Sequence, residues 1–258
     1  MLDSRTLISV RWWTNILPQI LQVHPKLSTI ALKLLLQRAD ITCFNCQERA
    51  AIMFKFDREK FFNGFRAHFG PLSQSLVDAL NGLLDQIEKD DRFDGVKDPK
   101  TGRRQLAYCL ATFKWETAHT MKPIDEFGSD DRFNKLYGPD TRVGKSLGNT
   151  MPGDGARFHG RGFVQLTGRN NYKRAGDFIG VDLIANPDEA KDTDFAYQIA
   201  TQGMIEGWFT GQKLSKFFKD NDTPNWVDAR TIINGHDKAE KIADLAWQFD
   251  EVLEASLK

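Results

Sequence analysis

Cysteine is scarce in this chain. Three in 258 residues, Cys43, Cys46 and Cys109, cannot build a disulfide framework. Cys43 and Cys46 form a C-x-x-C, but no second pair and no nearby histidine completes a zinc site, and no strand-then-helix pattern marks a redox centre. No function is assigned to it. No apolar run approaches the roughly 18–20 residues needed to cross a bilayer; the best candidate, 27–36, is short and carries Lys33. A classical export signal is also missing, because Arg11, Pro18, His24 and Pro25 interrupt the stretch after Asp3 and Arg5. Nor is there an excess of one charge: Lys plus Arg and Asp plus Glu number 35 each. No global field therefore draws the chain to nucleic acid, and stable membrane insertion is not expected.

What is present is a globular composition, 41% apolar. Residues 1–52 stand apart, with six basic residues against three acidic, a net of +3 that leaves −3 for the remainder. They contain Trp12 and Trp13 side by side and keep no steady period. Two readings fit: an over-extended reading frame with translation starting at Met53, or a basic arm for the membrane or an anionic wall. We favour the start at Met53, and expect a single catalytic domain over 53–258.

From Met53 the pattern turns helical. Phe56, Phe61, Phe62, Phe65 and Phe69 share one broad face until Gly70-Pro71 ends the element. Ser73 or Ser75 caps a second helix with a stripe of Leu76, Leu80, Leu83, Leu84 and Ile87. After a charged, turn-rich stretch over 90–104, a third helix is predicted from near Arg104 through Leu106, Leu110 and Phe113 to about His119. Residues 128–158 read as a long glycine-rich loop, and loops of that length are often functional. FVQLT, 163–167, has strand composition. Further helices are predicted around 172–180, 194–208, 225–234 and 238–256. The fold expected is mainly α, with one small β-hairpin.

Two stretches carry chemistry. LATFKWETAHTMKPIDEFG, 110–128, holds Glu116 in a helical pattern and Glu126 beyond Pro123; ARFHGRGFVQLTGRNNY, 156–172, is rich in amides and hydroxyls. Two carboxylates on separate elements beside such a strand equip a glycosidase, which needs one acid kept protonated and a second carboxylate to activate water. Glu116 lies on the flank of its helix's apolar stripe, near the C-terminal end. A low-dielectric flank and the negative end of the helix dipole both favour the protonated acid. Pattern alone leaves this evenly matched with a solvated surface glutamate. Asp125 competes with Glu126 for the second role.

The two stretches resemble glycoside hydrolase family 19, the lysozyme-like group of plant-type chitinases and many phage endolysins. The likeness covers about 53–255 and is most specific in W-E-T-A-H-T, P-I-D-E-F-G, similar to the endolysin-like members, and G-R-G-F-V-Q-L-T. It implies a lysozyme-like helical fold with a small hairpin lining the cleft. By that resemblance Glu116 is the general acid, and Glu126 is the base, with Thr167 holding the attacking water. Gln165, Asn171 and Asn234 (in I-I-N-G) bind sugar, with Arg161 and Tyr172 as further candidates. Arg161 reads equally well as a structural ion-pair partner, and Gly235 as the left-handed residue of a helix end.

One position departs from the family: Trp115 stands where its H-E-T has histidine. Trp115 either removes a contact or packs beside the acid, and His119, one turn on, is a substitute imidazole. The ten-residue separation of the glutamates admits the spacing of an inverting enzyme, about 6.5–9.5 Å.

The function expected is hydrolysis of β-1,4 bonds between amino sugars, with no cofactor and no metal, by a monomer. Peptidoglycan is the preferred polymer, because the chain shows no separate chitin-binding domain and no cysteines to staple one. That is the reading of an endolysin-like muramidase, cytoplasmic until released to the cell wall. A chitinase, a lytic transglycosylase and an inactive wall-binding module are the alternatives.

Overall fold

A computed structural model describes residues 54–93, 98–220 and 223–258. The expected extension over 1–52, with Cys43 and Cys46, lies outside the described residues.

Three amphipathic helices and one almost fully buried helix make the main core. In α1 (Arg58–Phe69), capped by Asp57, Phe61 and Phe65 are buried. In α2 (Gln74–Ile87), capped by Ser73, the Leu80, Leu83, Leu84 and Ile87 stripe is buried as its period predicts. α3 (Pro99–Glu116) starts where Asp98 caps Lys100 N and Pro99 occupies the first turn. Apart from the half-buried Arg104 it is buried from Thr101 to Lys114, so it is the central helix. The closing helix, α10 (Ala239–Ser256), packs against α3 and α1 with Ile242, Ala246, Phe249, Val252 and Leu253. Arg103 of α3 fixes this pairing through Asp250 and Glu254, each at 2.7 Å. The ends of the domain meet: Asp57 N donates to Ser256 O at 2.8 Å and Lys258 N to Lys55 O at 2.9 Å.

The middle of the chain departs from expectation in two places. The glycine-rich stretch is not one loop but carries three short helices, α4 (Asp130–Tyr137), α5 (Arg142–Ser146) and α6 (Asp154–Arg157). Ser129 and Thr141 cap the first two, supplying start signals that the stretch's low hydrophobicity concealed. FVQLT is not a strand. The strand is β2 (Arg161–Gly162), antiparallel to β1 (Ile124–Asp125) in register Ile124↔Gly162 and Asp125↔Arg161. Residues 163–165 turn sharply instead, bringing Leu166 back to bridge Arg161.

A second apolar cluster forms around Phe158, Leu166, Tyr172 and Leu183, with α7 (Arg169–Ile179) on one side. α8 (Thr193–Glu206) serves both clusters, giving Tyr197 and Ala200 to the first and Ile199 to the second. The predicted helix at 225–234 is a 3-10 turn over Asp228–Ile232, following the short α9 (Leu214–Phe217). Among the described residues no helix is long and apolar enough to cross a membrane.

Candidate active site

Glu116 is the last residue of α3, and the sequence ends the helix there by a hydroxyl. Thr117 Oγ1 donates to Phe113 O at 2.7 Å and accepts from Met121 N at 3.1 Å. The chain then passes through three left-handed residues that are not glycine, Ala118, His119 and Met121. Such conformations are costly and persist only where the surroundings enforce them; here Met121 is fully buried.

Glu116 has an ionic partner that the sequence reading did not supply. Its carboxylate accepts a charge-assisted bond from Arg230 Nη1 at 2.6 Å, and the arginine side chain is only 5% exposed. Arg230 Nε also donates to Asp237 O at 3.2 Å. An ion pair thus replaces the expected apolar flank. The reason is tertiary: the 3-10 turn carrying Arg230 packs against the end of α3. Trp115 packs on the main core and meets the His119 ring edge-on at 6.1 Å. Burial and the nearby Lys114 ammonium hold His119 below the usual imidazole range.

Glu126 follows β1. Its N–H donates to Gly160 O at 2.7 Å, extending the ladder. Its carboxylate accepts from Gly160 N at 3.1 Å on Oε2 and from Tyr137 Oη at 3.0 Å on Oε1. Burial and the Glu126 carboxylate push the Tyr137 hydroxyl up to about 12, so it stays a donor across the ordinary pH range. Gly160 leaves room for both side chains: a Cβ would stand 2.8 Å from Gln165 Oε1 and 3.1 Å from Glu126 Oε2, so one or both would have to shift. Behind α4, the Phe133 ring stacks on His159 at 4.6 Å.

Asp125 is differently placed. It binds Lys191 at 2.7 Å, His159 at 3.2 Å and Arg161 at 3.3 Å. Burial opposes its charge, yet the bonds from Lys191 and His159 and the charge of Arg161 hold the carboxyl below the usual range. Lys191, Arg161 and His159 together make Asp125 a tie between β1, β2 and the 3-10 turn over Pro187–Lys191. Glu126, by contrast, is held by two neutral donors, the N–H of Gly160 and the hydroxyl of Tyr137.

The remaining predicted residues divide. Gln165 sits at a left-handed φ of 54°, with Nε2 at 3.5 Å from Ile124 O and 3.4 Å from Gly162 O. Thr167 Oγ1 donates to Gln165 O, and Asn171 Nδ2 to Thr167 O, both at 2.8 Å. These three form one chain beside Gly160; Thr167 pairs with Gln165 rather than with Glu126. Asn234 is exposed and accepts from Gly235 N at 2.8 Å. The left-handed residue of that segment is Lys238, not Gly235, which corrects the predicted helix end.

Arg161 and Tyr172, expected as further sugar ligands, are both buried and bonded within the protein. Arg161 is 6% exposed and spends its guanidinium on Asp188, the carbonyls of Arg157 and His159, and Tyr172. Tyr172 is fully buried, donating to His159 O at 2.7 Å. The ion-pair reading of Arg161 is the one that fits. Sequence reasoning passed over two partners of the glutamates, Arg230 and Tyr137. Neither sits in a recognisable spacing, although a lone arginine before I-I-N-G was a weak signal.

Phe113, one turn before Glu116, stacks on Phe163, the residue after β2, at 4.6 Å and 20°. The last turn of α3 is thereby fixed against the segment that follows β2, the strand paired with β1. Among the described residues no group of three or more His, Cys, Asp or Glu is placed to hold a metal ion.

A central buried helix ending in a glutamate, with a two-stranded antiparallel sheet packed at its end, defines a lysozyme-like fold; the strands are joined through residues 126–160 and three short helices, so the expected hairpin is a long-range ladder instead. Chitinase C from Streptomyces griseus has this fold in common with the chain, at a TM-score of 0.52 and 21% identity over 77% of this chain and 92% of that one. Residues 81–231, more than half of the chain, match the family model for chitinase class I, glycoside hydrolase family 19. The chain belongs to that family. Among curated relatives, Chitinase 8 of Oryza sativa subsp. japonica is 36% identical over 103 residues, 40% of this chain and 35% of the relative. Chitinase 11 of the same plant is 32% identical over 137 residues, 53% of this chain and 47% of the relative. The chain therefore spans about a third to a half of the length of these relatives.

Proposed function

We propose that this chain is a glycosidase that hydrolyses β-1,4 bonds between N-acetylated amino sugars. The observation that carries the proposal is the contrast between the two glutamates. Glu116 has one oxygen fixed by Arg230, and Glu126 is cradled by Tyr137 and Gly160 N. In this reading Oε1 of Glu116 anchors the group and Oε2 delivers the proton to the glycosidic oxygen. As the C1–O bond breaks, positive charge develops on the sugar ring. Water attacks C1 and gives its proton to Glu126. Thr167, its hydroxyl hydrogen committed to Gln165 O, keeps lone pairs to accept from that water. Gln165, Asn171 and Asn234 supply amides, which donate and accept on one uncharged group and so suit N-acetyl and hydroxyl groups.

Peptidoglycan is the polymer we favour, because the P-I-D-E-F-G segment that carries Glu126 is similar to endolysin-like members of the family. Such an enzyme acts as a monomer at the cell wall after release from the cytoplasm. Chitin is the second reading, favoured by the names of the relatives.

Mass spectrometry of fragments from purified peptidoglycan and from chitin oligosaccharides, with the chain and its Glu116→Gln variant side by side, separates the readings. Ordinary reducing N-acetylmuramic acid ends, absent with the variant, are expected. Anhydro ends would make it a transglycosylase, chitin fragments alone a chitinase. No fragments from either polymer would leave a binding module.

A further inference from the structure

The backbone on both sides of Phe127 is fixed, while its ring is not packed at all. On one side Glu126 N donates to Gly160 O at 2.7 Å and the Glu126 carboxylate is held by Gly160 and Tyr137. On the other, Gly128 lies against the Phe133 ring so closely that a Cβ would come within 2.8 Å of two ring carbons. Ser129 then caps α4, accepting from Arg132 N. Between these anchors Phe127 is 94% exposed; the next most exposed large apolar residue among those described, Met151, is 58% exposed.

A single exposed phenylalanine is ordinary on a protein surface. Phe127 differs in its attachment. Its Cα is one residue from the carboxylate assigned as base, and the backbone on both sides of it is held in place.

We propose that Phe127 is a stacking platform for the sugar polymer. Its ring receives the apolar C–H face of one amino-sugar unit beside the bond to be cut, and so sets the register of the chain over Glu126. A β-1,4-linked glucosamine-type ring holds its substituents equatorially, so each face offers only C–H groups. The electron-rich face of an aromatic ring attracts such hydrogens and supplies rigid contact area with little side-chain entropy to lose. The amides of Gln165 and Asn171 fix orientation by hydrogen bonds; the aromatic face adds affinity that polar groups cannot give in water. The platform rests on the glycosidase reading, and it names a residue that selects polymer register rather than one that performs chemistry.

The test uses the whole chain, with Phe127→Ala and Phe127→Trp beside it. Initial rates are read on a β-1,4-linked N-acetylglucosamine hexamer and on purified peptidoglycan, and hexamer binding in a Glu116→Gln background. On the polymer that is cleaved, Phe127→Ala is expected to raise KM about tenfold. Phe127→Trp should recover most of that loss. The melting temperature should not change, because the ring buries almost nothing. An active parent whose KM and product lengths are unaltered by Phe127→Ala overturns the platform alone. So does a loss that Trp fails to rescue. A parent inert on both polymers and unable to bind the hexamer overturns the glycosidase reading, and the platform with it.

Discussion

Arg230 Nη1 donates to Glu116 Oε1 at 2.6 Å, across 114 residues of sequence. The arginine is nearly buried and divides its guanidinium between that carboxylate and the carbonyl of Asp237. It therefore ties the assigned acid to the loop that carries Asn234. A lysine keeps the charge but not the planar fork. Arg230→Lys is expected to lower kcat by about 10²-fold, and Arg230→Ala to destabilise the fold by about 2–4 kcal/mol because a partly buried carboxylate loses its partner. Steady-state kinetics and urea melts check both; a fully active Arg230→Lys would remove the pair from the mechanism.

Tyr137 donates its hydroxyl hydrogen to Glu126. Tyr137→Phe removes one hydrogen bond and no volume, costing about 1 kcal/mol of stability and about tenfold in kcat. Because the hydroxyl is pushed up to about 12, it is protonated at every working pH. Its ionisation should thus leave no basic limb in the wild-type rate profile below pH of about 10. A limb that disappears in Tyr137→Phe would contradict this.

Gly160 leaves room for two functional groups at once. The Cβ of Gly160→Ala would meet Gln165 Oε1 and Glu126 Oε2 at 2.8 and 3.1 Å. Its φ is not in the left-handed region, so alanine is not strained by its own backbone. Activity should fall at least about tenfold while stability drops by only about 1 kcal/mol. Equal loss of both, or of neither, would show that the carboxylate does not depend on this gap.

Acid should unfold the protein through two aspartates. Burial opposes charge on Asp154, but Arg169 and the N–H groups of Met151 and Thr150 hold its carboxyl below the usual range; Asp125 is lowered likewise by Lys191, His159 and Arg161. A depressed folded pKa means the unfolded chain takes up protons first. The stabilisation is fully present above the unfolded value of about 3.9 and is lost as pH falls below it, through the lower folded values. Asp154→Asn should cost about 2–3 kcal/mol at neutral pH and flatten the acid limb of a stability curve. An acid limb of unchanged slope would refute the assignment.

Tyr172 distinguishes packing from binding. Its hydroxyl bonds Arg161 and His159 O inside the second apolar cluster. Tyr172→Phe should lower stability by about 1–2 kcal/mol and leave KM unaltered; a raised KM with an intact melting temperature would restore it as a sugar ligand.

The helices whose apolar residues recur every three to four positions were legible in the sequence alone. Phe61 and Phe65 of α1, the leucine stripe of α2 and Ile242 to Leu253 of α10 are buried as their spacing requires. The two short segments that hold Glu116 and Glu126 were legible too, since rare local combinations of Gly, amide and carboxylate need no partner to be seen. Everything else came from the packing of distant elements. That Arg230 reaches Glu116, that Asp125 is consumed by Lys191, His159 and Arg161 while Glu126 is not, and that Tyr172 points inward all depend on which elements meet. FVQLT had the composition of a strand, but Gln165 takes a left-handed turn there because Leu166 must return to Arg161. Periodicity is a property of neighbours along the chain, whereas a carboxylate's partners are set by groups brought together from far apart in sequence.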